Sequence, residues 1–128
     1  MNQTQILYDE FQVTGVDTQG KPFNNVSRIE AQSQVHKLSL RLDYNSQIYN
    51  IPNGRKFALA LTGIDNESLI PEYDYVMSGT IFQEDFKQPA SLIIYASFGG
   101  LLMELIGAPS HLEGLTLDSD IYLHIKLI

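Results

Sequence analysis

Apolar residues recur at alternate positions along much of this chain, the spacing of a strand with one buried and one wet face. Leu38, Leu40, Leu42 and Tyr44 alternate with Lys37, Ser39, Arg41 and Asp43. Phe57, Leu59 and Leu61 repeat the pattern with small residues between them. Near the C-terminus Ile121, Leu123, Ile125 and Leu127 fall on one side, with Tyr122, His124 and Lys126 opposite. Residues 11–13, 26–31, 73–82 and 91–98 read as further strands, and 101–107 brings the number to about eight. Turn chemistry separates them at Asp17-Thr18-Gln19-Gly20, Pro52-Asn53-Gly54, Lys87-Gln88-Pro89 and Ala108-Pro109-Ser110. The only helical stretch expected is short, around residues 110–114.

Short strands at regular spacing predict an all-β chain, an antiparallel barrel or sandwich. Residues 1–128 form one domain, with no repeat at fixed period and no linker. The longest polar interruption, residues 62–74, is expected as a loop at the rim.

Gly99 and Gly100 interrupt an apolar run, and glycine weakens a strand interior unless the backbone needs it. A phosphate loop would place such glycines before a helix, with Lys-Ser or Lys-Thr following. Here Leu101-Leu102-Met103-Glu104-Leu105 follows and alternates like a strand. A bend or bulge between two strands, or within one curved strand, is the better reading.

Charge narrows the function. Eight Lys plus Arg stand against 15 Asp plus Glu, a net charge of −7. Autonomous nucleic-acid binding draws its affinity from phosphate neutralisation and favours a basic excess, so this balance opposes it. It suits docking on a basic partner. Without cysteine there is no disulfide, thiol nucleophile or Cys-based zinc site. The N-terminus lacks the basic and apolar regions of a secretory signal, and no apolar run approaches the ~20 residues of a membrane span, so a soluble intracellular protein is expected.

Candidate chemistry is sparse. His36, His111 and His124 lack metal-site spacing, and His124 is expected to be a partly exposed wall residue. Asp9-Glu10 and Glu84-Asp85 read as surface charge, and Asp118 with Asp120 as a solvated turn lacking the other ligands of a calcium loop. Ser97 has no marked base or acid. Tyr73, Tyr75, Phe82, Tyr95, Phe98 and Tyr122 are aromatic strand residues that can stack bases on a small barrel, but core or rim places fit the acidic charge better. No cofactor, metal or small-molecule substrate is expected.

Four ordered blocks resemble one family, the small β-barrel subunit shared by the three eukaryotic nuclear RNA polymerases. The first block carries Phe11, Val13, Asp17, Gly20, Phe23, Val26, Ser27, Arg28 and Ile29, and the second runs over residues 37–51. The third carries Tyr73, Tyr75, Val76, Met77 and Gly79; the fourth carries Ser97, Gly99, Gly100, Leu101, Leu102, Met103 and Gly107. The resemblance implies an OB-related barrel of two similar halves. It also implies a nuclear, non-catalytic subunit common to polymerases I, II and III, with the largest subunit as main neighbour. The loop at residues 62–74 is shorter than the family usually carries, and Glu104 stands where a basic residue is common.

On this reading an open stretch of barrel wall near the glycines meets an extended segment of the largest subunit. Tyr95, Phe98, Gly99, Gly100, Leu101, Met103, Tyr75 and Met77 are the expected partner-binding residues. Two alternatives remain open: a free-standing OB-type module binding single-stranded nucleic acid, and a barrel enclosing a small apolar ligand, which requires an open interior.

Overall fold

The structure, a computed structural model, describes residues 5–63, 73–87 and 90–128. Its strands are β1 (Gln5–Val16), β2 (Val26–Ser33), β3 (Ser39–Asn45), β4 (Lys56–Thr62), β5 (Tyr75–Lys87), β6 (Ser91–Phe98), β7 (Leu101–Gly107) and β8 (Asp120–Leu127). One helical turn, α1 (Pro109–Leu112), precedes β8 and starts on the proline expected to interrupt the sheet. The strands close into a single antiparallel barrel in the order β1-β2-β3-β7-β6-β5-β8-β4. The barrel expectation holds, and the sandwich alternative falls.

Closure reveals two halves of one design. β1, β2 and β3 form a meander and β4 returns beside β1; β5, β6 and β7 form a second meander and β8 returns beside β5. The halves join through β3–β7 and through β4–β8. Each first strand carries a bulge, between Val13 and Gly15 in β1 and between Ile81 and Gln83 in β5. A bulge bends its strand, as a small barrel requires.

Alternation assigns the interior correctly. Leu38, Leu40, Leu42, Tyr44, Phe57, Leu59, Leu61, Ile121, Leu123 and Ile125 are all buried. Phe11 stacks on Phe57 across the β1–β4 ladder with ring centroids 5.7 Å apart. With Ile29, Ile81, Ile94 and Met103 they fill the barrel with side chains, which removes the container reading.

Two strands run longer than the sequence suggested. β1 begins at Gln5, and β5 continues to Lys87, whereas expectation placed their ends at residues 11 and 82. Beyond Phe82 every β5 residue is exposed, so no hydrophobic alternation marks the extension. His124 departs in the other direction, because it is fully buried although it points away from the interior. Ala60 and Val76 flank it on the neighbouring strands, and the Tyr73 ring lies 5.5 Å from its own. Most of the expected rim loop, residues 64–72, and Gln88 and Pro89 of the expected bend lie outside the described residues.

Candidate functional site

Gly99 and Gly100 form a two-residue hairpin turn between the paired residues Phe98 and Leu101. Their φ values are +67° and +100°. Positive φ at both central positions is the type I′ requirement, which glycine meets without a Cβ penalty. A Cβ placed on either would meet nothing within 4 Å, so among the described residues no backbone stands where a side chain at this turn would go. The close approach is at Gly79, where a Cβ would overlap the Ser97 carbonyl and lie 2.6 Å from Phe98 Cδ1. The reason for the glycine pair is therefore turn geometry.

Beside that turn lies a seam. β3 and β7 stay paired only from Ser39–Ile106 to Leu42–Met103. Where pairing ends, the buried Asp43 carboxylate spans the gap. Arg28 Nε donates to Asp43 Oδ1 at 2.5 Å and Nη2 to Oδ2 at 3.1 Å. The Leu102 N–H donates to the same Oδ2 at 3.1 Å. Asp17 accepts the Arg28 backbone N–H at 2.8 Å, fixing the strand that carries the guanidinium. Its hydrogen bond to Asp43 holds Arg28 above the usual arginine pKa despite partial burial.

A groove of about 140 Å³ opens on the outer wall next to this seam, between β5, β6, β7 and β3. Phe82, Tyr95 and Leu102 give it an apolar floor, with the Phe82 and Tyr95 rings 6.2 Å apart. Arg41 and Glu104 border it, joined at 3.1 Å, and Arg41 also reaches Glu30 at 3.6 Å. Glu104 thus balances a neighbouring arginine. Burial and then Glu104 push the Tyr95 hydroxyl above its ordinary pKa, so it stays neutral and able to donate.

The expected partner-binding residues divide. Tyr95, Leu101 and Met77 are half-buried, and Gly99 and Gly100 are exposed in the turn. Tyr75, Phe98 and Met103 are buried, and this corrects their assignment to an outward surface. The Tyr75 hydroxyl accepts the Asn45 N–H at 2.9 Å, and its ring stacks on Tyr49 at 5.3 Å. Phe98 and Met103 occupy the inward phase of β6 and β7.

Other candidates also find places. Asp9 is buried rather than a surface charge, and its carboxylate accepts the Glu10 N–H at 2.7 Å, the His36 N–H at 2.9 Å and the His36 Nδ1–H at 2.9 Å. It clamps the turn between β2 and β3. His36 and His111 meet edge to face at 4.8 Å. Among the described residues no group of three or more His, Cys, Asp or Glu is arranged to hold a metal. The Ser97 oxygen accepts the Gly100 N–H at 3.1 Å, a turn role. Asp118 is a turn residue with φ 67°, and Asp120 accepts the Thr80 hydroxyl at 3.2 Å. No helix among the described residues is long and apolar enough to cross a membrane.

Sequence reasoning missed Asp43, Asp9 and Gly79. Asp43 falls on the polar phase of β3 with Ser39 and Arg41, and Asp9 is a carboxylate in the inward phase of β1 between Leu7 and Phe11, so hydrophobic periodicity marks neither. Gly79 stands in a run already marked as strand, where an isolated glycine does signal close backbone approach.

The described residues thus form a closed antiparallel β-barrel filled by side chains, with this groove on its outer wall. The sequence profile described as RNA polymerase Rpb8 matches residues 8–64 and 62–127, and the chain belongs to that family. A Dictyostelium discoideum protein named DNA-directed RNA polymerases I, II, and III subunit rpabc3 is 39% identical over 139 residues, spanning 96% of this chain and 98% of its own. The Schizosaccharomyces pombe protein named DNA-directed RNA polymerases I, II, and III subunit RPABC3 is 35% identical, spanning 98% of this chain and 99% of its own. An Arabidopsis thaliana relative, DNA-directed RNA polymerases II, IV and V subunit 8B, is 34% identical and spans 92% of each chain. The two profile matches meet at the end of β4, at the boundary between the halves.

Proposed function

We propose that this chain is a non-catalytic subunit common to DNA-directed RNA polymerases I, II and III, acting in the nucleus and supporting assembly and transcription by docking on the largest subunit. The observation that carries this reading is its likeness, over nearly its whole length, to proteins named for that shared subunit. The architecture agrees with it. Core side chains occupy the interior, which leaves the outer wall for recognition.

The same wall argues against autonomous nucleic-acid binding. Arg28 is engaged by Asp43 and Arg41 by Glu104, so neither guanidinium of the groove is available to phosphate without losing a carboxylate. A net charge of −7 adds long-range repulsion.

Native affinity purification of the tagged chain from its own cells tests the reading. The largest subunits of all three polymerases are expected among the copurifying proteins. Recovery of the chain alone, or with one polymerase only, would sink the shared role. Titration with a single-stranded oligonucleotide at two salt concentrations is expected to give no saturable binding; a steep salt-dependent affinity would favour the OB-type binder instead.

A further inference from the structure

β5 outruns one of its neighbours. β8 pairs with it from Tyr75 to Thr80. The last backbone bonds on that side run from Ile81 N–H to the Ser119 carbonyl, 3.0 Å, and from Asp118 N–H to the Ile81 carbonyl, 2.8 Å. β6 accompanies β5 as far as Lys87. From Gln83 to Lys87 the strand is therefore paired on one side only, among the described residues, and Phe82 sits in the bulge before it. The first half has no such overhang of equal length, because β1 ends at Val16, soon after its own bulge, and the chain turns at once with Asp17 N–H bonded to the Arg28 carbonyl at 2.8 Å.

An unpaired edge is a row of free N–H and C=O groups, which soluble proteins usually keep short or cover. Every residue of this one is exposed, and it carries two phenylalanines, Phe82 and Phe86, the latter 78% exposed. Phe82 also lines the outer groove with Tyr95 and Leu102. The groove lies on the β6 side of β5 and the open edge on the β8 side, so the edge itself offers backbone hydrogen-bonding capacity beside the exposed Phe86 ring, a combination that β-strand addition can use.

We infer that the Phe82–Lys87 edge receives one extended segment of another polymerase subunit as an added strand, with basic residues facing Glu84 and Asp85 and an apolar side chain against Phe86. This rests on the polymerase reading above. Charge selects the occupant. A second copy pairing edge to edge would bring another acidic excess, two carboxylates against the single Lys87, and a second chain of net charge −7, and the like net charges repel. A basic segment gains from the same arrangement and from the acidic total of the chain. The partner site thereby moves from the glycine turn to β5, at the end of the β5–β6 ladder away from that turn.

Hydrogen exchange, compared between the free chain and the chain within purified polymerase, tests the inference. Amides of residues 82–87 are expected to slow by at least about tenfold on assembly. Incorporation without that protection overturns the edge and leaves the polymerase reading standing; failure to incorporate overturns both. The double variant Glu84→Lys/Asp85→Lys, whose positions are exposed, should unfold like the parent yet be lost from polymerase in a salt wash about tenfold more readily. Retention equal to the parent's overturns the basic occupant. A dimer of the free chain with residues 82–87 already protected overturns the choice of another subunit over a second copy.

Discussion

Val13 and Ile81 hold equivalent positions in the two halves of the barrel. Each stands at a bulge. Val13 donates to the Arg55 carbonyl at 2.9 Å and accepts the Gly54 N–H at 3.0 Å. Ile81 donates to the Ser119 carbonyl at 3.0 Å and accepts the Asp118 N–H at 2.8 Å. The equivalence extends to backbone conformation, with φ +84° at Gly54 and 67° at Asp118. Glycine carries that conformation freely, whereas an L side chain is strained in it, aspartate less than most. Asp118→Gly is therefore expected to stabilise the chain by about 0.5 kcal/mol, and Gly54→Ala to destabilise it by about 1 kcal/mol. Urea unfolding midpoints at unchanged slope check both.

Gly79 and Gly100 should separate sharply. At Gly79 an added methyl must displace the Ser97 carbonyl or the Phe98 ring, both fixed in the neighbouring strand. Gly79→Ala should cost about 3 kcal/mol, as overpacking against a backbone does. Gly100→Ala meets open space and carries only the strain of φ +100°, about 1 kcal/mol. Comparable losses for the two variants, measured by denaturant unfolding, would refute this account of the glycines.

Removing Asp43 leaves the Arg28 guanidinium and the Leu102 N–H without their acceptor. Asp43→Ala is expected to destabilise by about 3 kcal/mol, the lower end for a broken buried pair because the outer part of Arg28 stays in water. Replacing both partners with apolar residues, Asp43→Leu with Arg28→Met, should recover part of the loss. A double variant as unstable as the sum of the singles would show that the pair contributes no coupling.

Asp9 sets an acid-side dependence. Burial alone would raise its carboxyl, but bonds from the His36 backbone and ring, the Glu10 N–H and Ser33 more than offset this and hold it below the ordinary value of 3.8. The fold thus favours the ionised form. The resulting stabilisation is complete above the unfolded-state value and is lost as pH falls through the lower folded-state value. Asp9→Asn should destabilise near about pH 6, and its deficit relative to the parent should shrink below about pH 3. A deficit independent of pH in paired urea titrations would refute the clamp.

Legibility of the fold followed the wet and dry faces of single strands. Leu38, Leu40 and Leu42 announce their phase because their alternate neighbours are polar. The tail of β5 announces nothing, since Gln83, Glu84 and Asp85 carry no apolar alternation although they are in a ladder with β6. Likeness within their blocks marks Tyr75 and Met103 as positions that matter but does not say which way their side chains point. Both face inward. The candidate surface was therefore legible in part: Tyr95 and Leu101 lie on or beside it, while Phe82, Arg41 and the open edge came only with the fold.

By itself the sequence determined which side chains of β3, β4 and β8 turn inward, because a period of two fixes the faces from local order alone. The tertiary structure decided which outward residues are then covered. Closing the barrel set β3 beside β7 and β4 beside β8, buried Asp43 and His124 under neighbours remote in sequence, and left one side of the end of β5 unpaired among the described residues. Burial on an outer wall depends on what stands across the ladder, and strand order places those neighbours.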